Sequence, residues 1–175
     1  MRALATKTKV LEFLERFARE ARSSVRVYLT GGSTAVLLGW RESTVDIDLK
    51  IDPEMDELFR AIPKLKEELS INVELASPSD FIPEIPGWRE RSIFIDSFTS
   101  VSYYHYDPYS QALSKIERGH EMDVLDVEAM ISNGFVEKGR LLNLFELIRN
   151  NLYKYPAINE ESFATSVQKV VAKFD

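Results

Sequence analysis

Cysteine is absent from the 175 residues. That excludes disulfides, thiolate nucleophiles and cysteine-ligated zinc. Only two histidines occur, His105 and His120, too few for a histidine-rich metal site or a two-histidine zinc helix. A metal bound here is therefore held mainly by carboxylates. No apolar run approaches the roughly 20 residues that span a bilayer, and the opening MRALATKTKVLEFLERFARE lacks a signal-peptide core. The expectation is a cytoplasmic protein with no membrane partner. An excess of basic charge is lacking as well. The net charge of −6 argues against broad DNA binding. Lys7, Lys9, Arg16, Arg19, Arg22 and Arg26 make the N-terminal segment locally basic, and residues 42–90 are acidic. A solvated helix face is the simpler reading of the basic cluster, and a patch for RNA or protein is the other.

What is present is an ordinary globular composition, 45% hydrophobic and 29% charged, in a chain long enough for a proper core. Val10, Leu11, Phe13, Leu14 and Phe17 recur at helical spacing within residues 5–22. RVYLT at 26–30 reads as a strand closing on Gly31-Gly32. Residues 33–39 read as a short helix with Ser33 as N-cap and Gly39 as stop. VDIDLKI at 45–51 alternates as a strand. A helix follows from Pro53 to about Leu69, which Pro63 is expected to kink or divide. INVEL at 71–75 is a third strand, and 76–92 is an irregular loop with aromatic anchors. Residues 94–106 are β-rich, as a hairpin or edge pair. Helices then read at 108–118, 122–133, 137–152 and 159–173, broken at Gly119, Gly134 and Pro156. The organisation is an α/β core over residues 1–106 and a helical C-terminal subdomain over 107–175 packed on it, or one single domain.

The densest chemical signal lies in YLTGGSTAVLLGWRESTVDIDLKI, residues 28–51. Asp46 and Asp48 share one strand face, because side chains alternate with period two. Like charges side by side repel, and a cation is the natural reason to tolerate them; Mg²⁺ prefers oxygen ligands. The polar face of an exposed strand would show the same residues. Gly31-Gly32-Ser33, at a strand end and helix start, presents backbone N–H groups and a hydroxyl to a phosphate; a plain tight turn is the alternative. Neither a Walker loop nor a dinucleotide fingerprint is present.

The pairing of LTGGS at 29–33 with VDIDL at 45–49 resembles the nucleotidyltransferase superfamily of polymerase-β-like fold. Its pattern is a glycine turn, a spacer, an acidic pair on the next strand and a third carboxylate on a later strand. The resemblance implies an α+β fold with a mixed β-sheet flanked by helices. It implies Asp46, Asp48 and Glu74 as metal and catalytic residues, with Asp80 or Asp96 as substitutes for Glu74. The back half, YHYDPYSQALSKIERGHEMDVLDVEAM at 104–130, looks like toxins of the AbiEii/MenT type. There Lys115, Arg118, Asp123 and Asp126 fit a K-x-x-R-x(4)-D-x-x-D pattern, with Met122 where a basic residue is common.

From that resemblance Gly31, Gly32, Ser33, Lys115, Arg118 and Asp126 are expected to bind nucleotide, with Mg²⁺ or Mn²⁺ as cofactor and a nucleoside triphosphate as substrate. The implied function is metal-dependent transfer of a nucleoside monophosphate to an RNA or protein acceptor, within a toxin–antitoxin pair. The alternative is an inactive nucleotide-binding relative acting as antitoxin or regulatory partner. Physically, Lys115 and Arg118 lie about one helical turn apart, as do Asp123 and Asp126. The four can equally tie two helices together as ion pairs. Arg41, His105, Trp88 with Arg89 and Arg91, and the Tyr103–Tyr106 cluster read first as solvated, packed or anchoring residues.

Overall fold

The computed structural model describes residues 2–175. Among them the elements run β1 (Ala5–Thr6), α1 (Lys7–Ala18), β2 (Val25–Thr30), α2 (Gly32–Leu38), β3 (Ser43–Thr44), β4 (Asp46–Asp52), α3 (Asp56–Glu68), β5 (Asn72–Leu75), α4 (Trp88–Arg91), β6 (Ile93–Phe98), β7 (Val101–His105), α5 (Pro108–Arg118), α6 (Glu121–Ser132), α7 (Lys138–Arg149) and α8 (Glu160–Lys173). This is an α+β protein with a mixed sheet. The chain divides into two compact units, one comprising residues up to Ser77 with Ser92–Tyr106, the other Pro78–Arg91 with Asp107–Asp175.

In the first unit a five-stranded sheet has the order β5-β4-β2-β7-β6. β2 runs antiparallel to β4 and parallel to β7, β4 runs parallel to β5, and β6 and β7 form an antiparallel hairpin. Alternation decides which side is dry. Val27, Leu29, Ile47, Leu49, Val73, Val101 and Tyr103 are buried together with Val10, Phe13, Leu14 and Phe17 of α1 and Leu58, Ile62 and Leu65 of α3. Each such side chain contributes about 1.5–3 kcal/mol by leaving water. The Tyr103 hydroxyl donates to the Leu14 carbonyl at 2.6 Å, which satisfies the phenol inside that core. Burial pushes its pKa up.

Several boundaries differ from the sequence expectations. α1 ends at Ala18 rather than residue 22, and β1 pairs with β3 as a small antiparallel ribbon that two-residue strands do not announce. α3 starts at Asp56, with Met55 as cap, and passes through Pro63 undivided. Its amphipathic face carries it on, since Ala61, Ile62 and Leu65 on both sides of the proline are buried. α2 begins at Gly32 with Gly31 as N-cap, so Ser33 is not the cap.

The second unit is helical. Asp107 caps α5, accepting from Tyr109 N at 3.1 Å, and Pro108 occupies the first turn, where its missing N–H costs nothing. α5 is packed against α6, α7 and α8. Glu137 caps α7 by accepting from Gly139 N and Arg140 N at 2.7 and 2.6 Å; these N–H groups hold its carboxyl below the usual range. The segment expected as an irregular loop carries a short 3₁₀ turn, Pro78–Asp80, and α4. Trp88 is its buried anchor, with the Arg89 guanidinium 4.3 Å above the ring. Among the described residues no helix is long and apolar enough to cross a membrane.

Candidate nucleotide and metal site

β4 presents its residues in strict alternation. Ile47, Leu49 and Ile51 are buried, and Asp46, Asp48, Lys50 and Asp52 lie half-buried on the opposite face. The antiparallel register sets Asp48 beside Thr30, the last residue of β2 before the glycine turn. The turn is cut to fit that carboxylate. Gly31 has φ +64°, and a Cβ added there would stand 2.7 Å from Asp48 Oδ2. A Cβ on Gly32 would stand 2.0 Å from Thr44 Oγ1. Both glycines therefore have a packing reason: one leaves room for Asp48 and the other for Thr44.

Gly32→Ala is accordingly expected to destabilise the fold by about 1–3 kcal/mol, the usual cost of overpacking. Urea denaturation reads it, and Thr44→Ala in the same chain is expected to recover part of the loss. An unchanged midpoint for Gly32→Ala alone would show that Thr44 moves aside freely.

Parallel pairing of β4 with β5 sets Glu74 beside Asp48 and Asn72 beside Asp46. Glu74 is thus the neighbouring-strand carboxylate, and it is exposed. Asp96, a sequence candidate for the same place, sits on β6, three strands from β4. Asp80 belongs to the second unit. Asn72 is a residue the sequence reading passed over. Its amide nitrogen donates to Asp46 Oδ1 at 2.5 Å and to Glu74 Oε1 at 3.0 Å, while its oxygen accepts from Arg2 Nη1 at 2.6 Å. The signal was legible: Asn72 lies two residues before Glu74 in INVEL, on the same strand face.

Ser33 is fully buried, and its hydroxyl donates to the Thr30 carbonyl at 2.9 Å. Its proton is spent on closing the turn. Thr34 Oγ1 donates to the Leu29 carbonyl at 3.3 Å and lies 3.2 Å from His105 Nδ1. Because the threonine proton is committed, the ring proton belongs on Nδ1. Burial of His105 pushes its pKa down to about 4. The Arg41 guanidinium comes within 3.4 Å of where a Gly32 Cβ would stand, so this loop arginine lies over the first turn of α2.

In the second unit lie Lys115, Arg118 and Asp126, the side chains expected to bind nucleotide. The Lys115 ammonium donates to Asp126 Oδ2 at 2.7 Å and to Asp123 Oδ1 at 3.4 Å. Arg118 forks onto both oxygens of Asp123 at 2.6 and 2.7 Å. Lys115, Asp123 and Asp126 are 5%, 2% and 1% exposed, so this is an internal α5–α6 tie. Desolvation raises the Asp123 pKa, but the Arg118 hydrogen bonds and the Lys115 charge outweigh it and hold the carboxyl below its usual range. The Arg118 side chain is half exposed.

The donor chemistry on β4 and β5 is all oxygen, which suits a hard divalent cation. Among the described residues no group of three His, Cys, Asp or Glu side chains is gathered to hold a metal ion. Asp46 and Asp48 alone suit the mode in which Mg²⁺ keeps one or two carboxylates, and substrate phosphates and water fill its other positions.

The mixed sheet, the glycine turn entering a short helix and the acidic pair on the adjoining strand are the features on which the sequence resembles nucleotidyltransferases. Residues 8–171 match the family described as nucleotidyltransferase of unknown function (DUF6036), and the chain belongs to that family. Neither a curated protein nor a solved structure matches the chain.

Proposed function

We propose that the chain is a metal-dependent nucleotidyltransferase that moves a nucleoside monophosphate from a nucleoside triphosphate to an RNA or protein acceptor. The observation carrying this reading is the placement of Asp48. Its carboxylate fills the space that Gly31 leaves, one strand from Glu74 and on the same face as Asp46. Asp46 and Asp48 would hold Mg²⁺ or Mn²⁺, whose charge offsets that of the triphosphate. The acceptor hydroxyl oxygen forms a bond to the α-phosphorus, the bond to the bridging oxygen breaks, and pyrophosphate leaves with its electron pair. Glu74, exposed beside Asp48, receives the hydroxyl proton. Gly31 and Gly32 bring bare backbone to the phosphates. Ser33 contributes by closing the turn, and Lys115 with Asp126 by fixing α5 to α6. A role within a toxin–antitoxin pair of the AbiEii/MenT type belongs to this proposal.

One observation favours the second reading, an inactive nucleotide-binding relative acting as an antitoxin or regulatory partner. Asn72 ties Glu74 and Asp46 together through one amide, so the third carboxylate is held by a neighbour.

Asp48→Asn separates binding from fold, because it removes charge without changing volume. It is expected to abolish Mg²⁺-dependent triphosphate binding and label transfer while leaving the melting temperature within a few degrees. Binding that persists unchanged would end the metal reading. Wild-type binding without transfer onto total RNA or lysate proteins would favour the inactive relative.

A further inference from the structure

The sheet face that carries the carboxylates continues beyond them. Register sets Tyr28 of β2 beside Lys50 and Tyr104, and Arg26 beside Asp52 and Ser102. Three rows therefore share the face with Asp48: the Thr30 row, the tyrosine row and the Arg26–Asp52 row. In the middle row Tyr28 and Tyr104 stack at 5.3 Å, and Phe94 meets Tyr104 edge-on at 5.6 Å. Phe94 is 57% exposed. The Arg26 guanidinium lies 5.8 Å from the Tyr104 ring centre.

The last row opens into a cleft of about 470 Å³ whose lining includes Ser24, Arg26, Asp52, Ser97, Ser100 and Ser102. Asp52 lies four residue steps along β4 from Asp48, about 13 Å at 3.3 Å per residue. The volume is that of a small-ligand site. Its chemistry is one guanidinium, one carboxylate and a ring of hydroxyls. That combination is poor for an apolar ligand, and it suits a molecule that carries an anion and adjacent hydroxyl groups. The rim is held in place. Thr99, in the β6–β7 turn, has φ +50°, an outlier for a β-branched residue. Its hydroxyl donates to the Ala18 carbonyl at 3.0 Å, a bond that glycine could not make.

We propose that this cleft binds a ribonucleotide unit of the acceptor strand upstream of its reacting end. Arg26 takes the phosphate, Asp52 and the surrounding serines take the ribose hydroxyls, and a base stacks on the exposed ring of Phe94. The word acceptor rests on the transferase reading above. The cleft adds the class: RNA, because a carboxylate and serines that address the 2′-hydroxyl are what distinguish RNA from DNA at a site.

Fluorescence anisotropy of the full chain tests this, with a short single-stranded ribo-oligonucleotide, its deoxy counterpart and 5′-AMP, at low salt without metal or triphosphate. The ribo-oligonucleotide is expected to bind about tenfold more tightly than the deoxy form, equivalent to about 1.4 kcal/mol. Arg26→Ala is expected to weaken ribo binding several-fold without changing the circular dichroism. Asp52→Asn is expected to narrow the ribo–deoxy gap. Equal affinity for ribo and deoxy, no loss with Arg26→Ala, or no oligonucleotide binding would overturn the proposal. 5′-AMP binding as tightly as the oligonucleotide would overturn the strand assignment. Metal-dependent triphosphate binding by the wild type is read separately. Its absence beside intact ribo binding would sink the transferase reading alone, and the reverse result would sink the cleft alone.

Discussion

Replacing Lys115 by alanine is expected to cost about 3–5 kcal/mol of folding stability, the range for removing one partner of a buried ion pair. The reason is the company it keeps. Asp126 is 1% exposed and has its Lys115 contact at 2.7 Å, so removal of the ammonium takes a charge-assisted bond away from a buried carboxylate. Asp123 fares better, because Arg118 still forks onto it. The loss should therefore shrink in the double variant Lys115→Met with Asp126→Asn, which removes both charges. Urea denaturation of the wild type, Lys115→Met, Asp126→Asn and the double variant gives the coupling directly. A stable Lys115→Ala protein with selectively lost triphosphate binding would reverse the assignment and return Lys115 to the nucleotide.

Acidification is expected to remove on the order of 3 kcal/mol through His105 alone. The folded-state pKa is about 4 against an ordinary 6.5. Between those values the unfolded chain takes up a proton that the folded chain refuses, so stability falls as pH drops from 6.5 to 4 and this contribution is fully present above 6.5. Burial is the cause, and Nδ1 is already engaged with Thr34. Asp123 acts lower: its depressed pKa contributes stability above the ordinary carboxylate value, and that is lost only as pH falls through its own folded value. The His105 loss is therefore centred at higher pH than the Asp123 loss. His105→Gln keeps a neutral hydrogen-bonding group, so its stability should be nearly flat across the His105 window. A wild-type slope retained in that variant would show that another group carries the acid response.

Much of the first unit was legible because period and punctuation agree. VDIDLKI alternates, and the alternation alone placed Asp46 and Asp48 on one face with Ile47, Leu49 and Ile51 buried; Val45, expected on the buried face with them, precedes β4 and is 65% exposed. The glycine turn marked the β2–α2 junction. The helices of the second unit were bracketed by Asp107 and Pro108 at one end and by Gly119 and Gly134 at breaks, all of which work locally. The misses have tertiary causes. β1 and β3 are two residues each and exist only because they pair with each other. Pro63 signals a break that α3 overrides by burying the residues around it.

The sequence by itself determined the alternation of β4, the glycine turn, the helical second half and the exclusion of thiol and histidine-rich chemistry, because each follows from residue type and spacing within a few positions. Tertiary structure decided the rest. Strand order put Glu74, and not Asp96, beside Asp48. Packing spent the Ser33 proton on Thr30 and the Lys115 charge on Asp123 and Asp126. Spacing along the chain says which groups share a face; which of them meet depends on strand neighbours and helix contacts far apart in sequence, and burial then obliges every charge and hydroxyl to find a partner.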